Sequence, residues 1–267
     1  MLIIDNISFS YEDKEVLENI SFAVKKGQLL SIIGPNGCGK TTLINCILGV
    51  NRITRGSMTH RGRELDKMSA RERAKLFSYV PQEKGHIFPY TVLEIVLMGR
   101  TPYHSIFSSP NGRDTDIAME ALEMVGMEGF RDKLFTKLSG GERQLVVLAR
   151  SLAQESDIIL MDEPTASLDY KNEIMFLEMV KSLCLNKNKT IIMSTHFPNH
   201  SFYFENHNLD TRVIMLADRK IKYQGLPSVV LTEDNVYNIY GVKSRILTYD
   251  GNKKHIVPIG GTENEKE

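Results

Sequence analysis

The sequence predicts an α/β fold: a parallel sheet that carries a phosphate-binding loop, an antiparallel β subdomain ahead of it, and a helical insertion within it. Three observations carry the prediction. A glycine-rich loop lies between an apolar pentad and a helix-forming stretch. Further short apolar runs recur between helical stretches, and two of them end in residues suited to phosphate chemistry. Residues 83–137 show helical periodicity and no strand alternation.

Leu29-Leu30-Ser31-Ile32-Ile33 reads as a buried parallel strand because its apolar character is nearly continuous. Gly34-Pro35-Asn36-Gly37-Cys38-Gly39-Lys40-Thr41 follows, in the pattern G-x-x-x-x-G-K-T. Residues 42–48 favour a helix that stops at Gly49. A glycine-rich turn at this place lets backbone N–H groups wrap a phosphate, and the helix N-terminus adds partial positive charge. Lys40 is then expected to reach the β- and γ-phosphates, and the Thr41 hydroxyl to ligate Mg²⁺. A glycine-rich turn with a chance lysine would not need the strand before it and the helix after it.

The 267 residues suffice for one α/β domain with a subdomain, or for two small domains. A formal net charge of +0 gives no general case for a nucleic-acid or anionic-lipid partner. No apolar run has the length of a membrane span, and the N-terminus lacks a basic, signal-like start. If the protein works at a membrane, another chain is expected to hold it there. Cys38, Cys46 and Cys184 have neither metal-like nor disulfide-like spacing and suit a reducing cytosol. Cys38, inside the loop, is either an alkylatable thiol or a small filler, and filler is the simpler reading.

Ahead of the loop, Ile7, Phe9 and Tyr11 alternate with polar residues, and so do Ile20, Phe22 and Val24. These form the antiparallel element, and Tyr11 at a strand end has a ring that could stack on a base. After the loop helix, residues 56–62 read as a short strand and turn, and Ser69 with Glu72 forms a capping box. Phe77-Ser78-Tyr79-Val80 is a strand, and Gln82 beyond it stands where a γ-phosphate sensor would sit. Within the insertion, Thr91 and Glu94 form a second capping box, and residues 101–112 read as a loop. Ala118, Ala121, Leu122 and Val125 line a helix that ends at Gly126.

Leu138-Ser139-Gly140-Gly141-Glu142 opens the next helix, with Ser139 and Glu142 as a capping box. The box explains neither Gly140 nor Gly141, since each costs about 1 kcal/mol relative to alanine in a helix. A phosphate approaching bare backbone at a positive helix end would explain both. Ile158-Ile159-Leu160-Met161-Asp162-Glu163 is an apolar strand ending in two acids. Asp162 is expected to bind Mg²⁺ and Glu163 to polarise the attacking water. Residues 190–194 form another buried strand, followed by Thr195 and His196, which could reach the same phosphate. Two hairpins and a short helix capped by Gly241 complete the chain, and residues 260–267 are polar and expected to be disordered.

Taken together and in this order, the motifs resemble the ATP-binding subunits of ABC transporters over nearly the whole chain. The Leu138-Ser139-Gly140-Gly141-Glu142 segment is that family's signature. The resemblance implies a P-loop NTPase (RecA-like) core with the N-terminal antiparallel β subdomain. It places the ATPase domain at 1–242, with a helical subdomain inserted at about 83–155, a β-hairpin extension at 243–259 and a tail at 260–267. It implies a head-to-tail homodimer holding two ATP molecules with Mg²⁺. Each ATP would lie between the loop of one subunit, Gly34 to Thr42, and the Ser139-Gly140-Gly141 helix end of the other. Tyr11 then matches the adenine-stacking aromatic, and Gln82 the Q-loop glutamine, which is also a metal ligand. Ser167, Leu168 and Asp169 match the D-loop, and His196 the switch histidine. Two transmembrane permease subunits and an extracytoplasmic substrate-binding protein are the implied partners, with the ATPase peripheral on the cytoplasmic face of the cell membrane.

A closer resemblance is to the type II importers of iron–siderophore, haem and vitamin B12. It rests on Val96-Leu97-Met98-Gly99-Arg100-Thr101-Pro102, on Thr195-His196-Phe197-Pro198-Asn199-His200 and on the ending around Tyr240-Gly241-Val242. Some molybdate and tungstate importers share these features. Residues 202–211 depart from the pattern in being longer and more polar, as does Leu145-Val146-Val147 where many relatives carry an arginine. An exporter subunit, a soluble ABC ATPase of DNA repair or translation, and a small-molecule kinase are the competing readings. The short 83–137 insertion, the single ATPase unit and the signature segment with Glu163 weigh against the last two.

Overall fold

Two faces of one parallel sheet, buried by different partners, set the architecture. The computed structural model describes residues 1–82, 89–105 and 109–261. In chain order the strands are β1 (Leu2–Tyr11), β2 (Lys14–Val24), β3 (Leu29–Ile33), β4 (Arg55–His60), β5 (Arg63–Glu64), β6 (Phe77–Val80), β7 (Ile158–Asp162), β8 (Thr190–Thr195), β9 (Thr211–Ala217), β10 (Lys220–Gly225), β11 (Lys243–Tyr249) and β12 (Lys253–Gly260). The helices are α1 (Lys40–Leu48), α2 (Ala70–Leu76), α3 (Val92–Leu97), α4 (Gly112–Met124), α5 (Gly140–Ala153), α6 (Tyr170–Lys187), α7 (Pro198–Asn206), α8 (Pro227–Val230) and α9 (Glu233–Tyr240).

The central sheet has the order β10-β9-β3-β8-β7-β6, parallel from β9 to β6 with β10 antiparallel at one edge. Every residue of β3, β7 and β8 is buried, as the continuous apolar runs require of strands covered on both faces. Alternation sends Leu30, Ile32, Ile158, Leu160 and Ile192 toward α1 and the antiparallel sheet β2-β1-β4-β5. Ile159, Met161, Ile191 and Met193 face α5, α6 and the inserted helices. The parallel register pairs Ile33 with Thr195 and Asp162 with Ser194. The carboxyl ends of β3, β7 and β8 therefore meet along one edge, where the functional loops leave the sheet.

The insertion is helical: among the described residues between β6 and β7, the sole strand-like pairing is a bridge of Thr91 to Leu134. Both expected capping boxes form there and at α2. Buried Arg100 anchors the insertion to the far end of α5: its guanidinium donates to Asp114 Oδ1 at 3.0 Å and to the Ala153 carbonyl at 2.7 Å.

Three expectations change. Residues 202–211 are not a polar link, because α7 reaches Asn206 with Phe202 and Phe204 wholly buried. On a helix these two side chains diverge by about 200°. Phe202 packs with Val213, Met215 and Ile256, whereas Phe204 packs with the α5–α6 core. A test for one apolar face misses such a helix. The 101–112 loop is partly a 3₁₀ turn over Met98–Tyr103, and residues 106–108 lie outside the described residues. In the last hairpin Gly260 still pairs with Lys243, so any tail starts later, and 262–267 lie outside the described residues. Among the described residues no helix is long and apolar enough to cross a membrane.

Candidate active site

The loop after β3 takes its shape from positions that exclude a side chain. A Cβ at Gly34 would stand 2.1 Å from the Leu216 carbonyl oxygen. Gly37 has open space around it, but its φ of +76° favours glycine. Lys40 begins α1, and its buried ammonium donates to the carbonyls of Gly34 at 2.9 Å and Pro35 at 3.2 Å. It also pairs with Glu163 Oε1 at 3.2 Å.

Glu163, just past β7, is where the site converges. Its Oε2 accepts a hydrogen bond from Gln82 Nε2 at 3.0 Å and lies 3.6 Å from His196 Nδ1. Its φ of +46° is left-handed, a conformation disfavoured for a residue with a Cβ. The neighbouring Asp162 is buried, and its Oδ1 accepts from the Ser194 hydroxyl at 2.6 Å. A cleft of about 390 Å³ is lined by Asn36, Gly37, Gly39, Lys40, Thr41 and Thr42, with Gln82 and Glu163 across it. Val16 of β2 completes the lining, a residue that sequence reading does not single out. Cys38 is partly buried, and burial raises its thiol pKa against the opposing pull of Lys40. The thiol therefore stays protonated at neutral pH, which agrees with a filler rather than a reactive group.

Other expected residues lie apart from this cleft. Tyr11 is half exposed, with its hydroxyl accepting from Asn51 Nδ2 at 2.9 Å and its ring edge-on to Phe9. Ser139 caps α5 reciprocally with Glu142, and neither it nor Gly140 or Gly141 lines the cleft. Gly141 has a packing reason of its own, which corrects the purely phosphate-based account: a Cβ there would lie 2.8 Å from Asn172 Nδ2. Asp169 in turn caps α6 by accepting from the Asn172 N–H at 2.8 Å, so the signature segment and the 167–169 turn pack together within one chain. Leu168 packs against the α5–α6 core.

Motif reading gave no role to two groups beside the site, Ser194 and His200. Ser194 contacts both acids. His200, buried on α7, places Nδ1 3.0 Å from Thr195 Oγ1 and Nε2 2.5 Å from Glu173 Oε1, bracing the turn that carries His196. Neither could have been anticipated from the chain alone, because the Ser194 contacts depend on the register of β8 against β7 and the Glu173 partner of His200 lies on α6.

The donor set suits Mg²⁺. Among the described residues no three His, Cys, Asp or Glu side chains cluster as a self-sufficient metal site. The Thr41 hydroxyl, the Gln82 amide oxygen and the Asp162 carboxylate are hard oxygen donors of the kind that hold Mg²⁺ together with substrate phosphates. Ser194 engages Oδ1 of Asp162, and Oδ2 takes no part in that bond.

A glycine loop, a buried lysine and strand-end acids at the carboxyl edge of a parallel sheet define a P-loop nucleoside triphosphatase. The ABC transporter family profile matches residues 17–166, and the chain belongs to that family, as an ATP-binding ATPase. The Probable iron chelatin transport ATP-binding protein of Helicobacter pylori (strain 26695) is 34% identical over 94% of this chain and 96% of its own length. The molybdate import ATP-binding protein MolC of Haemophilus influenzae is 33% identical over 90% of this chain and 87% of its own. The solved structure of an inward-facing metal-chelate type ABC transporter superposes with a TM-score of 0.83 at 31% identity, covering 97% and 96% of the two chains. A bacterial ABC transporter cassette solved as a dimer gives a TM-score of 0.72 at 28% identity, covering 85% and 99%.

Proposed function

We propose that this ATPase powers import of a metal chelate, with iron–siderophore, haem or cobalamin as the cargo class, through a permease in the membrane. The observation that carries the hydrolytic part is the convergence of Lys40, Gln82 and His196 on Glu163 at the edge of the loop cleft. ATP phosphates in the loop would take the Lys40 ammonium away from Glu163. Freed of that pair, Glu163 is placed to orient a water and accept its proton. Mg²⁺, held by Thr41, Asp162 and Gln82, would supply charge neutralisation at the phosphates. Gln82, on the segment leading into the insertion, reports the contents of the cleft to the helical subdomain, and His196 holds the γ-phosphate from the other side. The dimeric relative supports a sandwich in which Ser139, Gly140 and Gly141, with the turn 167–169, meet the partner's nucleotide.

Lys40→Ala is expected to weaken ATP binding about 10–100-fold, the loss of a hydrogen bond between charged groups, and to reduce hydrolysis to background. Titration with a fluorescent nucleotide and a phosphate-release assay measure both. Wild-type turnover would remove the cleft as the active site.

The cargo reading rests on the iron chelatin relative and the metal-chelate structure, and the molybdate relative supports a second reading. Uptake of labelled ferric siderophore, haem, cobalamin and molybdate by vesicles containing the assembled transporter separates them. A groove of about 840 Å³ between α2 and the insertion, walled by Arg71, Glu94, Leu97, Met98 and Pro102, is the proposed seat of a permease loop on the cytoplasmic face. Single cysteines at Tyr90 and Glu94 are expected to cross-link to that loop, in a yield that changes with ATP. An active complex that yields no cross-link from either position would refute this docking.

A further inference from the structure

We propose that Ser194 is a positioning residue that fixes both acids of the site and thereby sets its affinity for a divalent cation and the rate of water attack. The inference rests on the reading of Asp162 as cation ligand and Glu163 as base.

Ser194 is wholly buried in β8, directly beside Asp162 in the parallel register. Its hydroxyl has one proton, and it donates that proton to Asp162 Oδ1 at 2.6 Å. Ser194 Oγ in turn accepts from the Glu163 N–H at 2.9 Å. That N–H also reaches the Ser194 carbonyl at 3.2 Å, so it is shared between two oxygens of one residue. The first bond selects which carboxylate oxygen of Asp162 is left for a cation. The second restrains the backbone of Glu163, which holds a left-handed φ of +46° and needs its surroundings to keep it there.

A buried hydroxyl in an apolar sheet is unfavourable unless it is hydrogen-bonded. The comparison within this sheet is Ser31 of β3, equally buried, whose hydroxyl finds no partner among the described residues. Packing alone thus tolerates a serine in this sheet without directing its oxygen. At Ser194 the hydroxyl's one donor goes to the Asp162 carboxylate and one of its two acceptor lone pairs to the Glu163 backbone. Groups that orient a ligating carboxylate typically change metal affinity or activity by 10–100-fold when removed.

The test uses the full-length protein with Mn²⁺ as the probe. Ser194→Ala is expected to weaken Mn²⁺ binding in the presence of ADP about 10–100-fold by electron paramagnetic resonance, and to lower kcat at saturating Mg²⁺. Affinity for ATP in EDTA is expected to stay at the wild-type value, since Ser194 does not line the cleft. Ser194→Thr, which restores the hydroxyl, is expected to recover both properties. Wild-type Mn²⁺ affinity and kcat in Ser194→Ala would overturn the inference. A folded Ser194→Thr as defective as Ser194→Ala would do so too, by showing that volume rather than the hydroxyl matters. Should Ser194→Ala fail to fold, Ser194→Cys keeps the volume with a weaker donor and is expected to show a smaller shift in the same direction; wild-type values there overturn the proposal. Asp162→Asn separates the two levels of the argument. If it leaves Mn²⁺ affinity unchanged, the ligand assignment itself is wrong. If it weakens binding while Ser194→Ala does not, only the role of Ser194 is lost.

Discussion

Glu163→Gln is expected to lower ATP hydrolysis about 10²–10⁴-fold, the usual contribution of a general base, while ATP binding is kept. The geometry explains the split. Glu163 Oε1 lies 3.2 Å from the Lys40 ammonium, so the carboxylate competes with phosphate for that cation. An amide removes the competing charge and keeps one acceptor for the Gln82 amide, now 3.0 Å from Oε2. Binding should therefore be unchanged or tighter, and the closed ATP-bound dimer should accumulate. Gel filtration in Mg-ATP measures the dimer, and phosphate release measures turnover. A Glu163→Gln protein that remains monomeric with normal turnover would refute both the base and the sandwich.

Ser139→Arg is the second large effect: hydrolysis is expected to fall to background while the isolated subunit binds ATP nearly as well as before. Ser139 does not line its own chain's cleft, so bulk and charge there should leave the cis site alone. Its role as cap of α5 is a smaller matter, since loss of an N-cap costs about 1 kcal/mol and should appear as a modest drop in Tm. Mixing Ser139→Arg with Lys40→Ala gives a sharper reading. In a mixed dimer one composite site combines the intact Lys40 of the first with the intact Ser139 of the second. Recovery of activity on mixing two inactive proteins is the expected result. Equal loss of ATP binding in monomeric Ser139→Arg would place Ser139 in the cis site and end the trans assignment.

Much of this was legible because it is local. A glycine loop between an apolar strand and a helix is a contiguous segment. The capping boxes at Ser69, Thr91 and Ser139 each span four residues, and all three form. The apolar runs of β3, β7 and β8 announce strands buried on both faces. Less local features were harder. Gly141 was legible as unusual but not as a contact of Asn172, which lies on another helix. Phe202 and Phe204 were hidden because each serves a different core.

The sequence by itself determined the class of fold, the glycine loop and the two strand-end acids, since residue type and short-range spacing suffice for these, whereas Gln82 and His196 stood out only through the family resemblance. Only the tertiary structure decided that Val16 walls the cleft, that Lys40 and Gln82 both reach Glu163, that His200 is tied to Glu173, and that Ser194 lies beneath both acids. Those contacts depend on strand order and register, which are set by how the two faces of the sheet bury their side chains against distant helices, and no short stretch of chain contains that information.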